Sequence, residues 1–434
     1  MISKILIVLI GLVSILNAQN SKMQNKTLEN LISEAIKVSP KIKMLQSKLN
    51  AAGSKIEIGT NLPDPTLTLG LANLPTNSFS FTQEPMTGKI IGLSQAIPFP
   101  GKLGAAAEVK AIDTLIIKEE INDLKNEIKK NVSTLYFDLG LFRKEIKLAK
   151  ESEALLKQIS EVVKSKYQVS KANLQNVIQV AVQITRVQDK IESLKGKENA
   201  ALAELNAILL RDANSEIESD EVFSLDLNIY KTPTLLKIAD NNRPFLKGIK
   251  YTEEKFKLKE ELAGYSYYPN FKLGLQYSQR DYNGLTGADF NDFFSVVVGI
   301  TLPLNYGGKN TAEVNEAKYL QAFSRDRYNS SMQILNQSLS KITAKLDEIK
   351  SRDRLVSKTL LPQAEKLLQA ALADYQVGKI DFVNVINAEN DILKIKTELI
   401  KIRTDYVKNI AKLEFLIGTQ IENSNIDKVN GEQR

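Results

Sequence analysis

The sequence predicts a mainly α-helical fold that also carries strands of a membrane β-barrel. Three observations support this fold class. The chain of 434 residues contains two copies of one unit. Each copy contains long helical regions with apolar residues at coiled-coil spacing. Each copy also contains two short segments that alternate apolar with small or polar residues, the pattern of a strand with one apolar face.

The N-terminal segment has the pattern of an export signal. Lys4 precedes an apolar run over residues 5–15, and Leu16-Asn17-Ala18 ends in a small residue. A basic start, a short apolar stretch and a small residue at the cleavage point are typical of a secretory signal peptide. We therefore expect residues 1–18 to be a signal peptide and the mature chain to be exported from the cytoplasm.

The duplication is clearest in the second half of each copy. Tyr167-Gln168-Val169-Ser170-Lys171 recurs as Tyr375-Gln376-Val377-Gly378-Lys379, and the offset of 208 residues then persists without a gap. Earlier positions align at slightly smaller offsets, such as Pro98 with Pro303. The sequence thus predicts repeat 1 over residues 19–232 and repeat 2 over residues 233–417, followed by a polar tail over 418–434.

Both repeats have the same order of expected elements. A helix comes first, over about 27–60 and about 234–263, and two strands follow. Two long helices then complete each repeat, and residues 211–232 form an equatorial linker between the copies. The expected strands are 66–73, 89–97, 270–279 and 293–302, and the expected long helices are 102–167, 172–210, 309–374 and 380–417.

Apolar residues in the expected long helices follow coiled-coil spacing. Ile184, Val187, Ile191 and Leu194 are separated by three, four and three residues, which is the spacing of a coiled-coil seam. Pro362 lies inside the region 309–374, and we expect it to kink or divide that helix because proline lacks a backbone donor. The helices are therefore predicted to pack as long antiparallel pairs.

The strands indicate a membrane wall, although a second interpretation remains. Leu273, Leu275 and Tyr277 alternate with Gly274 and Gln276, which suits lipid on one side and water on the other. A soluble amphipathic sheet packed on a helix would show the same alternation. In lipid, four strands would leave open edges, and closure needs at least eight strands. A membrane location would therefore require oligomerisation.

Composition excludes several classes of function. Cysteine, histidine and tryptophan are absent, so a Cys/His zinc site, a thiol nucleophile and a histidine-based triad are excluded. We expect no cofactor, no metal site and no catalytic residue. The net charge of +7 is spread among mixed helical faces instead of forming the basic stripe of a nucleic-acid interface.

Several motifs resemble the TolC-type outer-membrane efflux family. They are Asp64-Pro65 before the first strand, Gln95-Ala96-Ile97-Pro98-Phe99-Pro100-Gly101-Lys102 after the second, Gly307-Gly308-Lys309 after Pro303, and the Tyr375–Lys379 turn. The Gln95–Lys102 segment, with Gln83-Glu84-Pro85-Met86 ahead of it, most resembles the branch associated with heavy-metal and related resistance-nodulation-division pumps. The resemblance covers nearly the whole mature chain.

The resemblance implies a homotrimer in the cell outer membrane. Four strands from each protomer would form one shared 12-stranded barrel, and the long antiparallel helices would form a trimeric α-barrel that extends into the periplasm. It also implies two protein partners, a periplasmic adaptor and an inner-membrane efflux pump. The implied function is that of a passive export duct in a tripartite pump.

The resemblance also assigns candidate site residues. Pore or gate positions correspond to Asp381, Asn384, Asn387 and Tyr375. Family members often carry aspartates where this chain has Asn384 and Asn387, so a strongly cation-binding ring is not expected here. Adaptor-docking candidates at the helix tips are Ser170, Lys171, Gly378 and Lys379, and the Ser170 turn is expected to differ because its counterpart is a glycine.

Two other classes of function remain as alternatives. An exported soluble coiled-coil protein, such as a periplasmic adaptor or scaffold, would account for the signal and the heptads. It would not account for four amphipathic strands arranged in duplicate. An enzyme would have to act without histidine or cysteine, and the sequence contains no convergent carboxylate cluster.

Overall fold

The computed structural model describes residues 27–219 and 231–421. The expected signal peptide and most of the expected polar tail lie outside this range, as does the middle of the linker. The prediction of a mainly helical chain with a small antiparallel sheet is confirmed. The elements in chain order are α1 (27–38), α2 (Pro40–Thr60), β1 (Thr66–Ala72), β2 (Gly88–Ile97), α3 (Lys102–Gln168), α4 (Leu174–Leu209), α5 (Thr232–Asn242), α6 (Pro244–Gly264), β3 (Phe271–Gln279), β4 (Phe293–Ile300), α7 (Lys309–Leu355), α8 (Leu361–Gln376) and α9 (Phe382–Ile417).

The first helix of each repeat is two helices, which corrects the expected continuous spans 27–60 and 234–263. The breaks fall at Ser39 and Arg243, each directly before a proline. Proline disfavours the α conformation in the residue before it. Arg243 accordingly adopts an extended conformation with φ −69° and ψ 117°. The sequence contained this signal in Pro40 and Pro244, but the apolar periodicity continued across it.

The expected helix 309–374 is interrupted where Pro362 required a change. Helix α7 ends at Leu355, a π-helical turn covers Val356–Leu360, and α8 begins at Leu361. A wider turn tolerates the missing proline N–H because the local hydrogen-bond ladder is already shifted. The proline is therefore accommodated by a change of helix type within a continuous helical path.

The four strands form one antiparallel sheet in the order β1-β2-β3-β4. Strands β2 and β3 come from different repeats and pair over their whole length, for example Leu93 with Leu275. Strand β4 ends at Ile300, two residues before the expected end at 302. Pro303 follows three residues later, and proline has no N–H to continue the ladder of the sheet. The duplication is thus joined through a single sheet.

The register of the sheet sorts the side chains into two faces. One face has apolar side chains on all four strands: Leu67, Leu69, Leu71, Ile91, Leu93, Leu273, Leu275, Tyr277, Phe294, Val296, Val298 and Ile300. The opposite face is mainly small or polar, with Thr66, Thr68, Gly70, Gly92, Ser94, Gly274, Gln276, Ser295, Val297 and Gly299. Large apolar side chains on the first face are strongly exposed, including Val296 at 61% and Leu69 at 71%.

The compact units of the chain do not follow the repeats. One unit contains the described residues up to Met44, together with Ile121–Pro244 and the described residues from Ser331 onwards. The other contains Leu45–Glu120 and Phe245–Ser330, including the whole sheet. Each unit therefore combines segments of both repeats, and neither repeat is a separate compact body.

Candidate functional site

Two helix-to-helix turns with the same geometry form the first candidate site. The turn between α3 and α4 has Ser170 N–H donating to the Tyr167 carbonyl and Lys171 N–H donating to the Lys166 carbonyl. The turn between α8 and α9 repeats both bonds from Gly378 and Lys379, to carbonyls at the corresponding positions. This pattern is a Schellman-type helix C-terminus, which needs one residue in the left-handed conformation.

The Ser170 turn was expected to differ from the Gly378 turn, and this expectation is wrong. Ser170 has φ +59° and Gly378 has φ +79°, so both occupy the left-handed region. A serine there costs about 1 kcal/mol more than a glycine, but the hydrogen bonds of the turn are retained. Both lysines that follow, Lys171 and Lys379, have exposed side chains.

The expected pore residues fall into an exposed group and a buried one. Asp381 is the extended residue before α9, with φ −74° and ψ 151°, so α9 begins at Phe382 and not at the expected 380. Asp381, Asn384 and Asn387 are exposed. Tyr375 is only 7% exposed and packs against Phe382 at a ring-centroid distance of 5.3 Å. Tyr375 is therefore part of the helix packing, whereas the two asparagines lie on the surface.

Lys166 is a residue of this region that the sequence interpretation missed. Its Nζ lies 2.6 Å from the carbonyl oxygen of Tyr375 and 3.2 Å from that of Gln376. The same ammonium lies 4.3 Å from the centroid of the Tyr375 ring. It thereby joins the end of α3 to the last carbonyls of α8, where a cation is favoured by the helix dipole. The repeat alignment contained a sign that Lys166 differs from its counterpart, because the corresponding residue in repeat 2 is the acidic Asp374.

We expect Lys166→Ala to loosen the α8–α9 turn. The substitution removes a carbonyl-bound ammonium and a cation–π contact, together worth about 1–2 kcal/mol at a partly exposed site. Hydrogen exchange of the backbone N–H groups of Gly378 and Lys379 should accelerate several-fold. Lys164→Ala is the matched control, since among residues 27–219 and 231–421 Lys164 forms an ion pair only with the exposed Glu161 one turn away. Equal acceleration in both variants would contradict the role of Lys166.

Helices α3 and α9 are joined by polar contacts from α3 residues that lie seven apart. Lys408 pairs with Asp138 at 2.7 Å, and Lys401 pairs with Glu145 at 3.2 Å. At the next step Ser152 donates a hydrogen bond to the carboxylate of Glu389. Glu389 is 2% exposed and lies among the apolar residues that pack the ends of these helices. The series thus passes from ion pairs to a buried carboxyl group near the two turns.

Burial raises the pKa of the Glu389 carboxyl above its ordinary value, while the Ser152 hydrogen bond and the charge of Lys396 act in the opposite direction. A carboxyl whose folded pKa is raised stabilises the fold below the ordinary pKa, and this contribution is lost as pH rises through the raised value. We therefore expect Glu389→Gln to raise the thermal midpoint at pH 7.5 relative to wild type and to have little effect at pH 4.5.

Glu348→Gln provides a control of opposite sign. The hydrogen bond from Lys345 lowers the pKa of exposed Glu348, and Arg352 acts in the same direction. Its contribution to stability is therefore present at neutral pH and is lost as pH falls. If Glu389→Gln lowers the thermal midpoint more at pH 7.5 than at pH 4.5, the buried carboxyl does not behave as described.

The described residues contain neither a membrane-spanning helix nor a carboxylate metal site. No helix within residues 27–219 and 231–421 has both the length and the apolar character needed to cross a membrane. In the same ranges, no three Asp or Glu side chains are arranged to hold a metal ion.

The chain resembles known proteins in sequence and in fold. Residues 235–419 match the family described as Outer membrane efflux protein. Over this segment the chain is similar to the outer membrane efflux protein family. Its repeat 2 carries the matched segment, which includes β3, β4, the α8–α9 turn and Asn384 with Asn387. The family consists of channel proteins and not enzymes, in agreement with the sequence prediction at that level.

Two curated proteins are similar to shorter parts of the chain. The chain is 25% identical over 169 residues to the outer membrane protein TolC of Vibrio cholerae, and 22% identical over 137 residues to the outer membrane efflux protein BepC of Brucella suis. These segments cover 38% and 31% of this chain, and 36% and 30% of the two relatives, so the chain spans about a third of their length.

A solved structure extends the fold comparison to nearly the whole chain. The outer membrane protein VceC of Vibrio cholerae superimposes with a TM-score of 0.76 at 17% sequence identity. The superposition covers 92% of this chain and 98% of VceC. At this identity the comparison shows that the two proteins share a fold.

Proposed function

We propose that the protein is the outer-membrane channel of a tripartite efflux pump, a passive duct from the periplasm to the exterior. The observation that carries this proposal is the four-stranded sheet with one mainly apolar, exposed face and an opposite face of mainly small or polar residues. A wall with lipid on one side and water on the other needs this arrangement. The match of residues 235–419 to the outer membrane efflux protein family supports the same conclusion.

Three chains would close the sheet into a barrel. Strands β1 and β4 are the edges of the sheet, and each presents one row of backbone groups outward. In lipid these groups need partners, because no water is available. A trimer of four-stranded sheets would give 12 strands, with β4 of one protomer beside β1 of the next, and would leave no open edge. Two copies would also close a barrel, so the number of chains requires measurement.

The long helices would continue the barrel as a periplasmic tube, again shared by three chains. The seven-residue contacts between α3 and α9 support long-range packing of this kind. We propose that the exposed residues Ser170, Lys171, Gly378 and Lys379 contact the periplasmic adaptor. The inner-membrane pump would be of the resistance-nodulation-division type or a related one. It would supply the energy and determine which cargo is exported.

The narrow end of the tube would lie at the start of α9. Asp381, Asn384 and Asn387 are exposed in the single chain and would face the pore. Three asparagines at one level can close a pore through hydrogen bonds but create no negative field. Tyr375 is buried, so its proposed part in gating is to hold α8 against α9 through Phe382.

Membrane fractionation distinguishes this proposal from the exported scaffold. The channel should be recovered in the outer-membrane fraction and should need detergent for extraction. A periplasmic scaffold with the same helices would be released with the soluble periplasmic proteins. Recovery in the soluble fraction, in the absence of detergent, would reject the barrel and favour the scaffold.

A further inference from the structure

The α4–α9 groove has a positive charge that is not neutralised within the chain. It has a volume of about 490 Å³ and is lined by two segments, Gln183–Lys190 of α4 and Asn390–Lys401 of α9. Four of its lining residues are basic (Arg186, Lys190, Lys394 and Lys401), and one is acidic, Glu398.

The ion pairs of the groove remove little of this charge. Glu398 is already paired with Arg352 of α7 at 2.6 Å, which brings a further cation close to the groove. Lys401 is paired with Glu145 of α3. Within the part of the chain that the structure describes, Arg186, Lys190 and Lys394 have no acidic side chain within ion-pair distance. Three cations therefore remain without partners in one groove.

The duplication places two of these cations at equivalent positions, whereas Lys190 corresponds to the acidic Glu398. Arg186 and Lys394 are 208 residues apart and correspond in the repeat alignment. Arg186 lies seven residues beyond Gln179, and Lys394 lies seven residues beyond Asn387. In a coiled coil, residues seven apart occupy the same side of a helix. The groove therefore lies on the side of α9 that carries Asn387. It is further than Asn387 from the α8–α9 turn.

The same side of α4 has no acidic residue over six turns. Its residues at alternating spacings of three and four are Asn176, Gln179, Gln183, Arg186, Lys190, Ser193 and Lys197. The matching side of α9 is mixed, and its exposed Asp391 offsets one of the cations. On these two sides the net charge remains positive, because Arg186, Lys190 and Lys394 outnumber Asp391. Glu398 and Lys401 add nothing to this charge, since they are paired with Arg352 and Glu145.

We propose that this groove is an anion site in the wall of the conduit and that it makes the duct favour anionic solutes over cationic ones. The inference rests on the proposed function, because only that function places the side of α9 that carries Asn387 toward the pore. In a trimer, Arg186 and Lys394 would contribute six cations near one level of the tube. A pore wall of one sign concentrates counter-ions and excludes co-ions, as rings of basic residues do in anion pores.

The test is the ion selectivity of the purified protein in a planar lipid bilayer with unequal KCl concentrations on the two sides. We expect the reversal potential of the wild type to give a chloride permeability above that of potassium. The variant R186Q/K190Q/K394Q should lower the chloride-to-potassium ratio by about twofold or more. The ratio should also move toward one at molar salt, where the screening length is only about 3 Å.

A variant with the same change in net charge serves as the control. K150Q/K358Q/K366Q removes three exposed lysines that do not line the groove. Its chloride-to-potassium ratio should equal that of the wild type. If triple neutralisation of the groove lowers the yield of assembled protein, R186Q and K394Q are measured singly, and each should show part of the effect.

The outcomes separate this inference from the proposed function. A conducting protein that prefers potassium, or one whose selectivity changes equally in both triple variants, overturns the anion site and leaves the duct intact. A folded protein from the outer membrane that never conducts overturns the duct and the anion site together. Selectivity for chloride that depends on the groove lysines and arginine, and not on the control lysines, supports the inference.

Discussion

Val296→Arg should abolish assembly of the protein in the outer membrane, whereas Ser295→Arg should be tolerated. The two residues are neighbours in β4 and lie on opposite faces of the sheet, with Val296 opposite Leu275 and Ser295 opposite Gln276. An arginine on the lipid side near the membrane centre costs about 2–4 kcal/mol in each chain. A closed trimer would contain three such residues, so the cost would approach the whole stability of a typical domain.

The measurement is the amount of heat-resistant oligomer in outer-membrane extracts, with both variants expressed at the same level. Because the two substitutions introduce the same side chain at adjacent positions, strand propensity and net charge are matched. Loss of oligomer in Ser295→Arg alone would mean that the apolar face points toward water. Equal loss in both would show that the strand tolerates no arginine and would remove the support for a lipid-facing side.

Gly418→Ala should lower the stability of the helical unit by about 2–4 kcal/mol. Gly418 ends α9 with φ +75°, and an added Cβ would lie 2.6 Å from the Cα of Arg243 and 2.8 Å from its backbone N. Both contacts are with backbone, which cannot rotate away. The substitution therefore adds a steric clash at the α5–α6 junction to the strain of a left-handed alanine.

Gly378→Ala is the matched control for this prediction. Gly378 has nearly the same φ, +79°, but an added Cβ would meet no atom within 4 Å. We expect a loss of only about 1 kcal/mol, from backbone strain alone. Thermal unfolding followed by circular dichroism measures both variants in the same detergent. Equal midpoints for the two variants would contradict the close approach of Gly418 to Arg243.

The alternation of residues in the strands was sufficient to predict the two faces of the sheet. Each strand carries its own pattern, and a period of two is a local property. The pairing of β2 with β3 brought those patterns into register, which required the tertiary structure. The same holds for the breaks before Pro40 and Pro244, where a local steric rule outweighed an apolar pattern that continued through the break.

Features that depend on contacts between distant segments were not predictable in this way. The role of Lys166 arises because α3 ends beside α8, about 210 residues later in the chain. The identical geometry at Ser170 was missed because glycine preference suggested a difference, while the surrounding helices impose the same turn on both. The buried state of Tyr375, at a position expected to face a pore, likewise follows from packing against Phe382.

The number of chains per particle tests the account most directly. The protein would be extracted from the outer-membrane fraction in mild detergent, and its mass would be measured by light scattering with correction for bound detergent. The trimeric duct predicts three chains per particle, which closes the sheet at 12 strands. A single chain, or a soluble species recovered without detergent, would contradict the shared barrel.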